Sequence, residues 1–209
     1  NYDAIIFPKN SYFNKTYIKL NDCDLNTKNF KEHDSETFFR YNNKEILKKN
    51  KKLVLKYLTD LFKIKYENIP KGKYNDLYIH IRSGDLFNGG KCINKNYCEN
   101  QPDFKFYKNI IDSNKYEKIY ILAEDSKNPI INKLLNEYSN IIYNKKSLEE
   151  DIKLIMGSRN IIYGYTTFVP TILYFNKGIK NVYRNKYINK NDKIINNINK
   201  YNNYKEFIY

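Results

Sequence analysis

The sequence predicts an α/β fold: a Rossmann-like parallel sheet with flanking helices over residues 77–184, inside a domain running from 71 to 209. Two observations carry this reading. Short apolar runs at 77–81, 118–123, 141–143, 160–163 and 180–183 have the length of buried strands, and the stretches between them show helical spacing. Strands alternating with helices imply right-handed crossovers, and so a parallel sheet covered on both faces. Residues 1–70 lack the alternation and stand apart as an amino-terminal segment with short strands and one helix.

In chain order, Ala4 to Phe7 is an apolar run stopped by Pro8, and Tyr17 to Leu20 alternates like a half-buried strand. Phe38 and Phe39 are candidates to anchor this segment. Leu47, Val54, Leu58, Leu61 and Phe62 form one stripe of a helix over 43–63, with Lys opposite. Ile69-Pro70-Lys71-Gly72 ends it in a turn. Leu77 to Ile81 is the first strand of the sheet, followed by a polar loop holding Gly89-Gly90 and Pro102. A helix begins near Phe104, and the strand at 118–123 leads to a helix over 129–138. After the short strand at 141–143, Ser147 caps a helix over 148–157, with Glu149 and Glu150 in its first turn, where the helix dipole favours acids. The strand at 160–163, a helix over 167–175 and the strand at 180–183 complete the unit. The tail from Asn185 is rich in Asn, Lys and Tyr, with Ile194, Ile195 and Ile198 spaced for a final helix.

Charge excludes less than it first promises. The net charge is +14, but Lys outnumbers Arg 33 to 4 and is scattered among Asn, Ile and Tyr. No block of five consecutive basic residues occurs, and no helix-turn-helix or zinc-finger spacing is present, so nucleic acid is not the expected partner. No stretch approaches the roughly 18 apolar residues that span a bilayer. Cys23, Cys92 and Cys98 are too few and too dispersed for a zinc site. Cys92 and Cys98 share a loop and could pair in an oxidising compartment, with free thiols the first expectation. The chain begins with Asn rather than Met, which leads to the expectation of a processed or excised piece.

Ligands of open α/β sheets bind at the carboxyl ends of the strands, so the polar residues there are the candidates. The first strand ends in His80-Ile81-Arg82-Ser83-Gly84-Asp85. His80 and Arg82, two apart, point to one face of a strand. Two readings stay open for Arg82: an ion pair with a local carboxylate such as Asp85, or a planar fork for a phosphate. The second strand runs into Glu124-Asp125. The fourth ends at Gly164-Tyr165-Thr166-Thr167-Phe168, where a helix amino terminus and two hydroxyls suit a phosphate or simply cap the helix.

His-x-Arg-x-Gly-Asp after an apolar strand resembles the donor-site motif of the fucosyltransferase superfamily, which includes α1,2-, α1,6- and protein O-fucosyltransferases on two-domain GT-B scaffolds. Glu124-Asp125 behind Leu122-Ala123 is similar to that family's second patch, and Thr166-Thr167-Phe168 to the Ser-Thr-Phe turn of its third. The resemblance implies the donor half of a metal-independent glycosyltransferase that transfers fucose from GDP-fucose to a glycan or glycoprotein, with inversion. Arg82, Asp85 and Glu124 become catalytic candidates, Arg82 stabilising the leaving phosphate and one carboxylate serving as base. His80, Arg82, Gly84, Asp125, Asp151, Thr166, Thr167 and Phe168 become donor-binding candidates, with Asp151 on guanine. The family's amino-terminal Gly-rich motif is absent and residues 1–70 are too short for its first domain, which fits a minimal or truncated acceptor part. The alternatives are a GT-B enzyme using another nucleotide sugar, and a non-catalytic nucleotide- or carbohydrate-binding domain.

Overall fold

The computed structural model describes residue 56 and residues 64–93, 95–166, 168–173, 175–185 and 205–208. The chain divides into two compact units, Asn1–Leu61 and Phe62–Tyr209. The amino-terminal strands, the helix expected over 43–63 apart from Lys56, and the closing helix around Ile194 lie outside the described residues.

The second unit is an α/β Rossmann-like arrangement. Its elements are β1 (Asp76–His80), β2 (Phe87–Asn88), β3 (Lys91–Cys92), α1 (Lys95–Cys98), α2 (Phe104–Asp112), β4 (Lys118–Leu122), α3 (Pro129–Glu137), β5 (Ile141–Ile142), α4 (Leu148–Gly157), β6 (Asn160–Tyr163), α5 (Phe168–Leu173), β7 (Asn181–Arg184) and β8 (Lys205–Ile208). Six strands form one sheet in the order β5-β4-β1-β6-β7-β8, every neighbouring pair parallel. β2 and β3 make a separate antiparallel ribbon.

Alternation along the strands divides the core. Leu77, Ile79, Ile119, Ile121 and Ile162 point to one face, where Phe106, Tyr107 and Ile110 of α2 and Ile131 and Leu134 of α3 pack on them. The opposite face carries Tyr78, Leu122, Ile161 and Tyr163, and on that side Ile152, Ile155 and Met156 of α4 and Val169, Ile172 and Leu173 of α5 are buried. The helices start where the sequence puts capping residues. Asp103 accepts from Phe106 N at 2.9 Å, Asn128 accepts from Ile130 N at 3.0 Å ahead of Pro129, and Ser147 and Glu150 form a reciprocal capping box. At the far end of α4, buried Asn176 donates to Ile155 O and Ser158 O at 2.7 and 2.8 Å and accepts from Gly178 N. Ile155 O also accepts from Ser158 Oγ at 2.9 Å, so the last turn of α4 is closed from two sides. Asn160 does similar work below the sheet, donating to Tyr74 O and Asp76 O.

Two features depart from the sequence reading. β8 lies beside β7 in register Asn181↔Lys205, where only an Asn- and Lys-rich tail was expected; Lys205-Glu206-Phe207-Ile208 carries too little apolar pattern to announce a strand. The second correction concerns Cys92 and Cys98, which form a disulfide rather than free thiols. The β3 turn and α1 bring their Cα atoms to 6.3 Å, a closeness that spacing alone did not convey. Closing so short a loop contributes about 2 kcal/mol on the chain-entropy model. Adding dithiothreitol should therefore lower the thermal midpoint by about 4–8 °C. A Cys92→Ser, Cys98→Ser double variant should start at that lower midpoint and ignore the reductant. A wild-type midpoint unmoved by reductant would count against the bridge.

Candidate functional site

Counted along the chain, the strands of the main sheet take the order 3-2-1-4-5-6, which reverses direction between β1 and β6. Crossovers on either side of such a switch point leave the helices apart there, opening a crevice at the carboxyl ends of the two strands. β1 ends at His80 and β6 at Tyr163, paired in register. The residues that follow them, 81–85, 164–166 and 168, therefore flank that crevice.

The exit from β1 is held by its neighbour. Ile81 N still donates to Leu122 O at 3.0 Å, extending the pairing with β4 by one residue. Ser83 Oγ then donates to Asp125 Oδ1 at 2.5 Å, and the same oxygen accepts from Gly84 N and Lys127 N at 3.3 and 3.0 Å. Asn128 N donates back to Ser83 Oγ at 2.9 Å and Asn128 Nδ2 to Arg82 O at 2.9 Å. Lys127 Nζ lies 3.1 Å from the other Asp125 oxygen. Burial alone would raise the Asp125 carboxyl, but the bonds from Ser83 and Lys127 outweigh it and hold its pKa near about 2. Gly84 has φ +24°, and a Cβ there would overlap the Glu124 carboxylate. The positive φ favours glycine, whereas the Glu124 carboxylate is the far end of a flexible, exposed side chain and can swing aside. Glu124 itself is exposed and has no hydrogen-bond partner among the described residues.

Arg82 meets the local carboxylate. Its Nε lies 3.3 Å from Asp85 Oδ1 and its Nη2 2.6 Å from Asp85 Oδ2, a two-pronged pair at the surface. The guanidinium carbon sits over the ring of Tyr97, 5.2 Å from its centroid. Tyr97 belongs to α1, next to disulfide-bonded Cys98, and its ring is 6.1 Å from that of Tyr165. The loop before α2 is fastened to the β6 exit as well: Gln101 Nε2 donates to Tyr165 O at 3.1 Å, and Gly164 is packed so closely under Pro102 that a Cβ would clash.

His80 faces Phe168 across the switch point, ring centroids 5.6 Å apart. Its Nδ1 is buried with no hydrogen-bond partner among the described residues, and burial together with the nearby Arg82 charge holds its pKa down to about 4. The ring is neutral at pH 7. Thr166 Oγ1 accepts from Phe168 N at 3.1 Å, the capping bond of α5. Thr167 lies outside the described residues.

Asp151 sits in the first turn of α4. It is half-buried, and burial lifts its carboxyl to about 7, with Glu150 adding to the rise and Lys146 opposing it. Asp125 and Asp151 both raise the Tyr143 hydroxyl after burial does, so these three groups share one side of the carboxyl edge. The structure thus brings His80, Arg82, Gly84, Asp85, Thr166 and Phe168 to the two strands at the switch point, while Asp125 is committed to joining loops. Sequence reasoning missed Ser83, Tyr97, Gln101 and Asn128. Of these only Asn128, before Pro129, carries a local signature, that of a helix cap.

Comparison with known proteins returns no match among family models, curated proteins or solved structures. Among the described residues no helix is long and apolar enough to cross a membrane.

His80 and Asp151 make opposing contributions to stability. His80 has a folded pKa near 4 against an ordinary 6.5, so between those values the unfolded chain binds more protons and stability rises with pH. Asp151 is near 7 against 3.8, so the folded chain binds more protons and stability falls as pH rises through that window. Each slope is bounded by about 1.4 kcal/mol per pH unit. Denaturant titrations between pH 4 and 6.5 should show His80→Gln losing stability relative to wild type as pH rises, and Asp151→Asn gaining it. Parallel profiles for all three proteins would contradict both assignments.

Proposed function

We propose that this chain carries the donor-binding half of a glycosyltransferase that takes fucose from GDP-fucose, with inversion, onto a glycan or glycoprotein acceptor. The observation that carries the reading is the pairing of Arg82 and the Thr166-capped start of α5 across the switch point of a parallel sheet, where such sheets bind nucleotides. The unpartnered Nδ1 of His80 lies beside Arg82 and Phe168, and a buried polar atom without a partner is costly unless a ligand meets it.

In this reading the acceptor oxygen attacks the sugar's anomeric carbon as the bond to the β-phosphate breaks. The electron pair leaves with GDP, and Arg82 stabilises the charge that develops there. Neutral His80 is suited to donate or accept a hydrogen bond at the diphosphate without adding charge. Thr166 and Thr167 contribute hydroxyls on the phosphates, and Asp151 accepts from the guanine N1–H and N2–H. The acceptor proton needs a base. Glu124, which stands exposed beside Gly84, and Asp85, which pairs with Arg82 when no donor is bound, are the two candidates for that role. In this reading Arg82 serves in place of a divalent metal.

Calorimetric titration tests the reading without knowledge of the acceptor. Wild-type protein should bind GDP in the micromolar range, with UDP and ADP weaker. Arg82→Ala should lose about 2–5 kcal/mol of GDP affinity and keep its melting temperature, because a half-exposed pair contributes little to folding. Equal affinity for the three nucleotides would favour another nucleotide sugar. A lowered melting temperature with unchanged GDP affinity would make Arg82 a purely structural residue.

A further inference from the structure

The Arg82–Asp85 pair has a geometry that bears on what the site admits. Asp85 takes Nε and Nη2 together, one oxygen to each nitrogen. A guanidinium holds two oxygens of a phosphate in the same way. One face of the guanidinium is covered by Tyr97, so the fork edge is where an anion would be received, and Asp85 lies along that edge. The pair is not buried: Arg82 is 31% and Asp85 61% exposed. Ion pairs this wet are weak, and the 3₁₀ turn Gly84–Leu86 that carries Asp85 leaves its side chain room to turn into solvent.

We infer that Asp85 is a specificity-determining residue, an internal carboxylate that stands in for the phosphate on Arg82 and must be displaced by the ligand. The inference rests on Arg82 being a phosphate-binding residue. A ligand bearing several negative charges on adjacent phosphates displaces Asp85 readily, because it offers Arg82 more than one carboxylate does. A singly charged group only matches Asp85 and gains nothing by the exchange. Asp85 thereby sets a threshold of charge for entry, and it repels the diphosphate once that is seated. The orphaned Nδ1 of His80 and the hydroxyl of Thr166 are left to the incoming group.

GDP and inorganic pyrophosphate, titrated calorimetrically into intact wild type, Asp85→Asn, Arg82→Ala and the double variant, test this. Asp85→Asn keeps the side chain's shape and removes its charge. It should tighten GDP about fivefold, the equivalent of a surface ion pair, and pyrophosphate by a similar factor. On the Arg82→Ala background the same change should give no gain, since there is no fork left to contest. Unchanged or weakened binding by Asp85→Asn, with Arg82→Ala still losing GDP, would overturn the competitor role and leave the donor-site reading intact; Asp85 would then merely position Arg82. An equal gain on the Arg82→Ala background would reduce Asp85 to a general field effect and overturn the inference. Wild-type GDP affinity in Arg82→Ala would remove the donor-site reading and the inference with it.

Discussion

One carboxylate oxygen joins the two loops on which the candidate site depends. Asp125 Oδ1 accepts from Ser83 Oγ, Gly84 N and Lys127 N, and Ser83 Oγ in turn accepts from Asn128 N. The turn after β1 and the turn after β4 are thereby one body, although 41 residues separate Gly84 from Asp125. A carboxylate accepting this many bonds stays ionised far below neutral pH. Its charge is spent on backbone and hydroxyl donors, which fix where Arg82 leaves the sheet.

The consequences spread outward from that joint. Gly84 is drawn toward Asp125 with φ +24°, a conformation that favours glycine. Asp85 then follows on a 3₁₀ turn at the distance that lets it reach Arg82. The disulfide-closed loop brings Tyr97 over the same guanidinium, and Gln101 fastens that loop to the β6 exit. Arg82 is therefore constrained from both strands of the switch point, and its fork has a defined direction. Preorganised donors of this kind are what charge stabilisation at a leaving group requires.

Much of this was legible in the sequence, and the rest was hidden for identifiable reasons. Strands such as Leu77 to His80 and Asn160 to Tyr163 are buried on both sides and read as plain apolar runs, so their existence was plain. Their spatial order was not, because nothing local in Ile141-Ile142 or Lys205 to Ile208 states which neighbour each takes. The polar residues at the strand ends could be singled out by position, yet their division of labour could not. Asp125 looked like a ligand-binding acid beside Glu124, and only the approach of Ser83 shows that it ties loops together. For Arg82, the local pairing with Asp85 and the phosphate reading were both open; the geometry contains the first and leaves room for the second. Cys92 and Cys98 could be seen to share a loop and to be able to pair, but the five residues between them leave their distance free, so spacing did not decide for the bridge.

The guanine-nucleotide site proposed at the carboxyl edge between β1 and β6 has a direct physical test. Amide hydrogen exchange, followed by mass spectrometry with and without saturating GDP, addresses it most directly. Protection should gather at residues 80–86 and 164–170, with a smaller effect at 124–128 and 147–151. Protection confined to the opposite edge, around residues 72–76 and 157–160, or uniform slowing without a local centre, would contradict it.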